Sequence, residues 1–531
     1  MNQEAYETDI AIVGAGVGGA YSAWRLRDKI SAPEHQKIDL FEMSDRIGGR
    51  LYSLKMPGMP NVPAELGGMR YFSSHAVTRE LVNTLGLPTL DFPGSGTQGN
   101  ISFVRNHHLR DLDFRDPDKV PYRLSFNERG KTPDELIQYV IDTLVPQSVR
   151  ASPDEWRAFR QSHTLEGKRL YEYGWWSLMD WVLSREAIEL INDAGGYDAP
   201  FRNWNAAVAM DVFRNNAPGW NVTSRMIATG FQSLPEALVQ GFIDQGGQYH
   251  SRHRLCAITP FEQQGQTRVK LVFENDQGTR MVVNARHAIL GLPKRSLELL
   301  DQDSVLLRTP EIWSDIDSVI SKPAIKLYLG YPYPWWKVLG IRGGKSVTDL
   351  QIKQSYYFGT EEDRPAGEAG NTNALLLAAY TDGRVLDYWH PLARGNEFAG
   401  AENPFVPVGQ SPLPNENRAT NNQVMQAQKE LKALHDLKYI PKPYTAAYMD
   451  WSQDPYGGGY SLWKPGQKSL ATQKRMRHLP GLPIHICGDS YSDLQGWVEG
   501  ALTSTELMLE EHFQLERPRW IEKEYLSRFV E

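Results

Sequence analysis

Cysteine is nearly absent from this 531-residue chain. It has two, Cys256 and Cys487, each alone in its segment. That excludes a disulfide framework and a cysteine-based metal site, and no metal is expected. No uninterrupted apolar stretch approaches the roughly 18 residues that a membrane-crossing helix needs, so no membrane partner is expected. No basic run is long enough to follow a phosphate backbone, and 57 Lys and Arg against 64 Asp and Glu leave a net charge of −7. Nucleic acid is excluded on that ground. There is no H-E-x-x-H, no G-x-S-x-G and no arguable Cys–His pairing, which removes the zinc peptidases and the common acyl-transfer enzymes. His107-His108 is an isolated pair, read as a solvated loop. The start, "MNQEAYETDIAIVG", is polar and acidic and lacks the basic-then-apolar order of a signal peptide. The location expected from it is cytoplasmic, although a longer, secreted precursor would also be compatible. On that expectation the sequons at Asn100 and Asn221 are chance.

What is present is ordinary for a globular chain: 41% hydrophobic and 23% charged residues. At about 150 residues per domain, about three domains are expected. The 15 tryptophans and 24 tyrosines suit planar ligands and plain packing alike.

"TDIAIVGAGVGGAYSAWRLRDKI" reads as strand, glycine turn and helix, and "KIDLFEM" as the next strand, a βαβ opening. "GTRMVVNARHAILGLPKRSL" reads as a hairpin strand leading to a loop. "LPIHICGD" is a short buried strand, and "GWVEGALTSTELMLEEHF" is a helix. Strands of one nucleotide domain are therefore scattered along the chain, and the intervening pieces are insertions. The predicted architecture is α/β: a Rossmann-like domain assembled from 1–75, 225–320 and 451–531, a mixed-sheet domain from 76–130 and 321–450, and a helical domain over 131–224. "AIKLYLGY", "QSYYFG" and "ALLLAAYTD" read as strands of the second. In the third, Thr132-Pro133-x-Glu135 and Ser152-Pro153-x-Glu155 each read as a capping box with proline at the first helical position. The helical signal continues through "GKRLYEYGWWSLMDWVLSREAIELI" until Gly195-Gly196.

Gly14, Gly16 and Gly19 form G-x-G-x-x-G between strand and helix, and Glu42 ends the next strand 23 residues after Gly19. The first glycine permits the tight turn, the second lets a pyrophosphate approach backbone, and the third allows close helix–strand packing. The helix N-terminus offers N–H groups and partial positive charge, and Glu42 offers acceptors to a ribose diol. The alternative is a glycine-rich turn with no ligand. Just beyond, Gly48-Gly49 precedes Arg50, which can reach phosphates or form a surface ion pair with Asp45.

The set GAGVGG…FEMSDRIGGR, with ICGD and GWVEGAL late in the chain, resembles the flavin-containing amine oxidase superfamily. Within it, "KLYLG", "GIRGGKSVTDL", "QSYYFG", "TGFQSLPEAL" and "GGGYSLW" are similar to the L-amino-acid oxidases. The resemblance covers nearly the whole chain, least securely 76–224. It implies FAD, held without a covalent link. It implies that Gly488 and Asp489 hold the phosphate or ribityl region, that Leu255 meets the adenine end through its backbone, and that Gly49, Gly68, Met69, Gly496 and Val498 lie against the cofactor. A helix starting near Gly496 would aim its N-terminus at the pyrimidine oxygen, where partial positive charge stabilises a reduced, anionic ring.

Oxidising an α-amino acid requires a held carboxylate, a Cα–H facing the flavin and a neutral amine. A guanidinium fork is the best carboxylate holder, and the resemblance gives that place to Arg70 in "AELGGMRYF". A salt bridge with Glu65 or a second phosphate contact is the alternative. A tyrosine helps it. Tyr380 matches, with Tyr356 and Tyr357 as rivals and a plain core role open for each. Lys326, inside an apolar strand, matches the lysine that holds water beside the flavin and assists reoxidation; the polar face of an alternating strand is the bland alternative. Trp497 and Tyr460 form aromatic walls, Tyr460 standing where a smaller aliphatic residue is expected. Trp175, Trp176 and Trp204 are read as core, with an entrance lining as the alternative. The implied partners are an L-amino acid and molecular oxygen, and a homodimer is compatible. The implied reaction is oxidative deamination to a 2-oxo acid, ammonia and hydrogen peroxide. An amino-acid 2-monooxygenase or a monoamine or polyamine oxidase would share most of these residues. From other classes, a flavin-binding protein without oxidase activity and an NAD-dependent dehydrogenase would share the glycine motif. The aromatic residues hint at large apolar substrates.

Overall fold

The computed structural model describes residues 5–30, 35–93, 99–146, 153–197, 204–215, 223–406, 413–454 and 458–529. Ser152 and Asn221 lie outside them.

The first sheet has seven strands. Gln248–His250, Ile38–Phe41, Tyr6–Val13 and Arg280–Leu290 run parallel, side by side. The last residues of Arg280–Leu290 take Ile484–Ile486 as a further parallel neighbour, Leu290 opposite Ile486. Its earlier residues instead pair antiparallel with Gln266–Asn275, which pairs in turn with His253–Gln263. The strands are apolar because both faces are covered: Ile10, Ala11, Ile12 and Val13 are all buried. Helix Val17–Leu26 follows the glycine turn. Gly14 sits at φ +95°, and a side chain on Gly19 would overlap the Gly14 carbonyl, so helix and strand touch through backbone. The long helix Val498–Phe513 packs beside it. Buried Glu506 accepts bonds from Tyr21 Oη at 2.7 Å and Arg25 Nε at 2.9 Å.

The second seven-stranded sheet runs, in spatial order, Thr445–Asp450, Ala324–Tyr331, Ala374–Asp382, Gln354–Thr360, Lys345–Thr348, Ser102–Val104 and His107–Leu109. It is antiparallel except where Lys345–Thr348 meets Ser102–Val104. Lys326 is directly opposite Tyr380, so the two share one face. His107 and His108 are edge-strand residues rather than a loop, exposed as expected, with His108 stacked on Phe103.

The insertion carries helices Pro133–Leu144, Pro153–Ser162, Trp175–Val182, Arg185–Ala194 and Ala206–Asn215. Thr132 forms the anticipated capping box: its hydroxyl accepts from Glu135 N at 3.3 Å and its own N–H reaches the Glu135 carboxylate at 2.9 Å. The helical signal read through 167–191 is not one helix. Thr164–Leu165 and Lys168–Arg169 form a hairpin through Glu166 and Gly167, at φ +46° and +78°. A separate helix begins after Ser184, whose hydroxyl caps Ala187 N. Among the described residues no helix is long and apolar enough to cross a membrane, and no group of three or more His, Cys, Asp or Glu could hold a metal ion.

Candidate functional site

A cavity of about 610 Å³ runs from the glycine turn to the face of the second sheet. At its first end, helix Val17–Leu26 has no side-chain cap on its N-terminal N–H groups. A side chain added to Gly16 would meet no protein atom within 4 Å, and the same holds for Gly488 at φ +125°. Open space before uncapped N–H groups is what an anionic ligand fills. Gly49 approaches to 3.3 Å of Gly16 Cα, measured from the Cβ it lacks. Glu42 lines the same end; it accepts from Ala15 N at 2.7 Å and from Ser44 N at 2.9 Å. Leu255 is also on the wall, beside a bulge in its strand.

Arg50 does not pair with Asp45, which bonds Arg252 at 2.8 Å. Its guanidinium instead binds the Asp489 carboxylate and donates to Gly459 O at 3.1 Å. Asp489 also accepts from Gly496 N at 3.0 Å. The two cofactor-facing predictions, Arg50 and Asp489, are thus joined into one bridge between the turn after Gly49 and the loop before the last long helix. That helix starts at Val498 with no side-chain cap. The acid in its first turn, Glu499, is spent on Val77 N and Thr78 N, so its N-terminus keeps its partial positive charge toward Gly496, Trp497 and Val498 on the cavity wall.

The opposite wall is the turn Glu65 to Arg70. Gly68 N bonds Arg50 O at 3.0 Å, and a side chain at Gly67 would overlap that carbonyl. Trp451 Nε1 donates to Leu66 O at 2.7 Å and Tyr328 Oη to Glu65 O at 2.8 Å. Lys326 Nζ donates to Glu65 O at 2.9 Å and Gly67 O at 2.5 Å. Lys326 is 3% exposed, and burial brings its ammonium down to about 7, with the Glu65 charge opposing and the Arg70 charge reinforcing the shift. Burial also pushes the Glu65 carboxyl up to about 7, against bonds from Ser53 Oγ and Phe231 N. Met69 and Gly68 line the cavity.

Arg70 forms no ion pair with Glu65, whose oxygens are taken by Ser53 and Phe231, nor with any other acid among the described residues. Its Cζ lies 5.0 Å from the Phe92 ring centroid, 5.6 Å from Tyr356 and 5.8 Å from Phe72. A guanidinium cannot shed its charge, so this is a cation boxed by aromatic rings and open to the cavity. Of the three candidate tyrosines, Tyr380 is on the cavity wall, its ring 4.8 Å from Lys326 Nζ. Tyr356 lies behind Arg70 and donates to Gln354 Oε1 at 3.1 Å. Burial raises its phenol, and the Arg70 and Lys345 charges more than cancel that, leaving it below its ordinary value. Tyr357 is turned into a different core, bonded to Ser346 and His435 at 2.7 Å each.

Trp497 lies tilted against Phe72, 4.6 Å between ring centres, and edge-on to His75 at 5.0 Å. Tyr460 lies on the wall and donates to buried Asp382. The helical insertion supplies an apolar flank of Ile137, Ile191, Trp204, Val212 and Phe213. Trp204 therefore meets the cavity, whereas Trp175 is fully buried core. Three residues of the site carry no local signal: Tyr197, whose ring meets Tyr380 edge-on at 5.4 Å, Phe92 and Gln354. Tyr380 for Tyr197, Arg70 for Phe92 and Gly196 for Gln354 are remote in sequence, so periodicity could not find these contacts.

The fold and the cavity define a dinucleotide-binding flavoprotein with a second, sheet-walled compartment. Residues 22–401 and 413–506 match the flavin containing amine oxidoreductase family, and the chain belongs to that family; its cofactor is FAD. Its similar proteins include Aplysianin-A of Aplysia kurodai, 26% identical over 95% of this chain and 90% of that one. Achacin of Lissachatina fulica is 25% identical over 95% and 93%, and an L-amino-acid oxidase of Mus musculus is 22% identical over 95% and 70%. Putrescine oxidase, solved bound to putrescine, superposes with a TM-score of 0.68 at 14% identity, covering 96% of this chain and 100% of that one.

Proposed function

We propose that this flavin amine oxidoreductase acts on L-amino acids, converting them to 2-oxo acids, ammonia and hydrogen peroxide. The observation that carries the reading is Arg70: a half-buried guanidinium set among aromatic rings and facing the cavity, with no acidic partner among the described residues. A partly desolvated charge with no counterion is costly, and a substrate carboxylate would lower the cost. A simple amine has no group for it.

FAD, when bound, supplies the acceptor for the Cα hydride and the site that passes electrons to oxygen. The fit is supported by the open space at Gly16 and Gly488 and the uncapped helix N-termini; Gly14, Gly19 and Glu42, with the Arg50–Asp489 bridge, would frame it. Arg70 takes the carboxylate in its fork and Tyr380 donates to the same group. That two-point hold fixes which face of Cα is presented, and Trp497 and Tyr460 confine the reacting carbon between aromatic walls. Lys326 Nζ spends two N–H bonds on Glu65 O and Gly67 O. Its remaining position is a donor when charged and a lone pair when neutral, suited to hold a water and move a proton. Loss of hydride from Cα and a proton from nitrogen leaves the imino acid, which water hydrolyses. The apolar flank from Ile137 to Phe213 favours a large apolar side chain. The relatives named L-amino-acid oxidase agree with this reading. Peroxide release from a panel of L-amino acids and their decarboxylated amines tests it; turnover of the amines alone would sink it.

A further inference from the structure

Tyr197 reaches the substrate compartment from the helical insertion, and the way it is held carries a consequence for recognition. Helix Arg185–Ala194 ends at Gly195-Gly196. Gly196 is left-handed, at φ +82°, and Gln354 packs so closely on it that a side chain there would lie 2.5 Å from Gln354 Cγ. Gln354 Nε2 donates to Gly196 O at 2.9 Å, and its Oε1 accepts from Tyr356 Oη at 3.1 Å. One fully buried amide thus ties the Tyr197 turn to the tyrosine that backs Arg70. Tyr197 lines the cavity with Arg70 and Tyr380 and meets the Tyr380 ring at 88°. Burial, with Tyr380 and Tyr356 beside it, holds its phenol well above the ordinary value, so it stays a donor.

We propose that Tyr197 is a third donor to the substrate carboxylate, with Gln354 as its positioning residue. The helical insertion would then complete the anion site rather than merely flank it. A carboxylate has about four acceptor positions. A bidentate Arg70 fills two and Tyr380 a third, and Tyr197 supplies the remaining one. This rests on the amino-acid reading above, and selectivity for acid over amine is where it shows.

The test uses purified holoenzyme. Phenylpyruvate, the product of phenylalanine oxidation, is titrated while flavin absorbance is followed, and L-phenylalanine and phenethylamine are compared in kcat/KM. Tyr197→Phe is expected to weaken phenylpyruvate about tenfold, the scale of one hydrogen bond to a charged group, and to lower the acid-to-amine ratio in kcat/KM by a similar factor, mainly through KM. Gln354→Met, similar in volume, is expected to act in the same direction and non-additively with Tyr197→Phe; it carries the test if Tyr197→Phe fails to load FAD. Wild-type binding of phenylpyruvate with no loss in either variant would overturn the role of Tyr197 alone. Failure of the wild type itself to bind phenylpyruvate or oxidise L-phenylalanine, while oxidising phenethylamine, would overturn the amino-acid reading beneath it.

Discussion

Replacing Arg70 by lysine keeps the charge and removes the fork. The guanidinium lies among Phe92, Tyr356 and Phe72 with no acid to release, so Arg70→Lys breaks no internal salt bridge and the fold should hold. Phosphates and isoalloxazine have other framing groups, so FAD content should hold too. What changes is the carboxylate. A planar pair of parallel bonds becomes a single contact to a point charge. Losing one charge-assisted hydrogen bond costs about 1.5–3 kcal/mol, which is roughly ten- to hundredfold in kcat/KM. The assay is anaerobic flavin reduction by an L-amino acid, followed by stopped-flow absorbance, with FAD occupancy measured on the same sample. A variant that reduces its flavin as efficiently as wild type, or one that emerges without FAD, would refute the reasoning. The second result would assign Arg70 to the phosphates.

Two glycines of the same motif should fail in opposite ways. Gly19→Ala drives a methyl into the Gly14 carbonyl and should abolish soluble folding, whereas Gly16→Ala has space in the protein and should fold but lose FAD; circular dichroism and flavin content separate them. Lys326 titrates near 7 in the fold and at 10.5 ordinarily. Between those values the unfolded chain binds the extra proton, so this residue makes stability rise with pH, by up to about 1.4 kcal/mol per unit. Lys326→Met should flatten that slope in urea melts at pH 7.5, 8.5 and 9.5, and should also slow flavin reoxidation and remove its titration near pH 7. An unchanged melting slope would mean that the ammonium is not buried as described.

Much of the site was legible because its signals are local. The glycine turn, the acid ending the next strand, and a lysine inside "AIKLYLGY" each declare themselves within a few residues. Lys326 and Tyr380 fall opposite each other because two apolar strands pair over nearly their whole lengths. Two departures share one cause: "EG" in "TLEGKR" and "RN" in "FVRNHHL" are turn signals of different strength, and the residues at Glu166-Gly167 and Arg105-Asn106 all take positive φ. Two-residue turns of that kind build hairpins, one inside the stretch read as continuous helix and one beside the histidines read as loop. The bridge from Arg50 to Asp489 and the place of Tyr197 beside Tyr380 were not legible, because each depends on chain brought in from far away. The compartment around Arg70 is a tertiary product of both sheets' neighbours and the helical insertion.

The most direct measurement is peroxide release by the purified holoenzyme with L-phenylalanine and phenethylamine side by side, each molecule of peroxide matched to the organic product. The expected result is turnover of L-phenylalanine, with phenylpyruvate and ammonia formed in equal amounts with peroxide, and little turnover of phenethylamine. An amide and carbon dioxide in place of phenylpyruvate would contradict the oxidase reading, and turnover confined to phenethylamine would contradict the role given to Arg70.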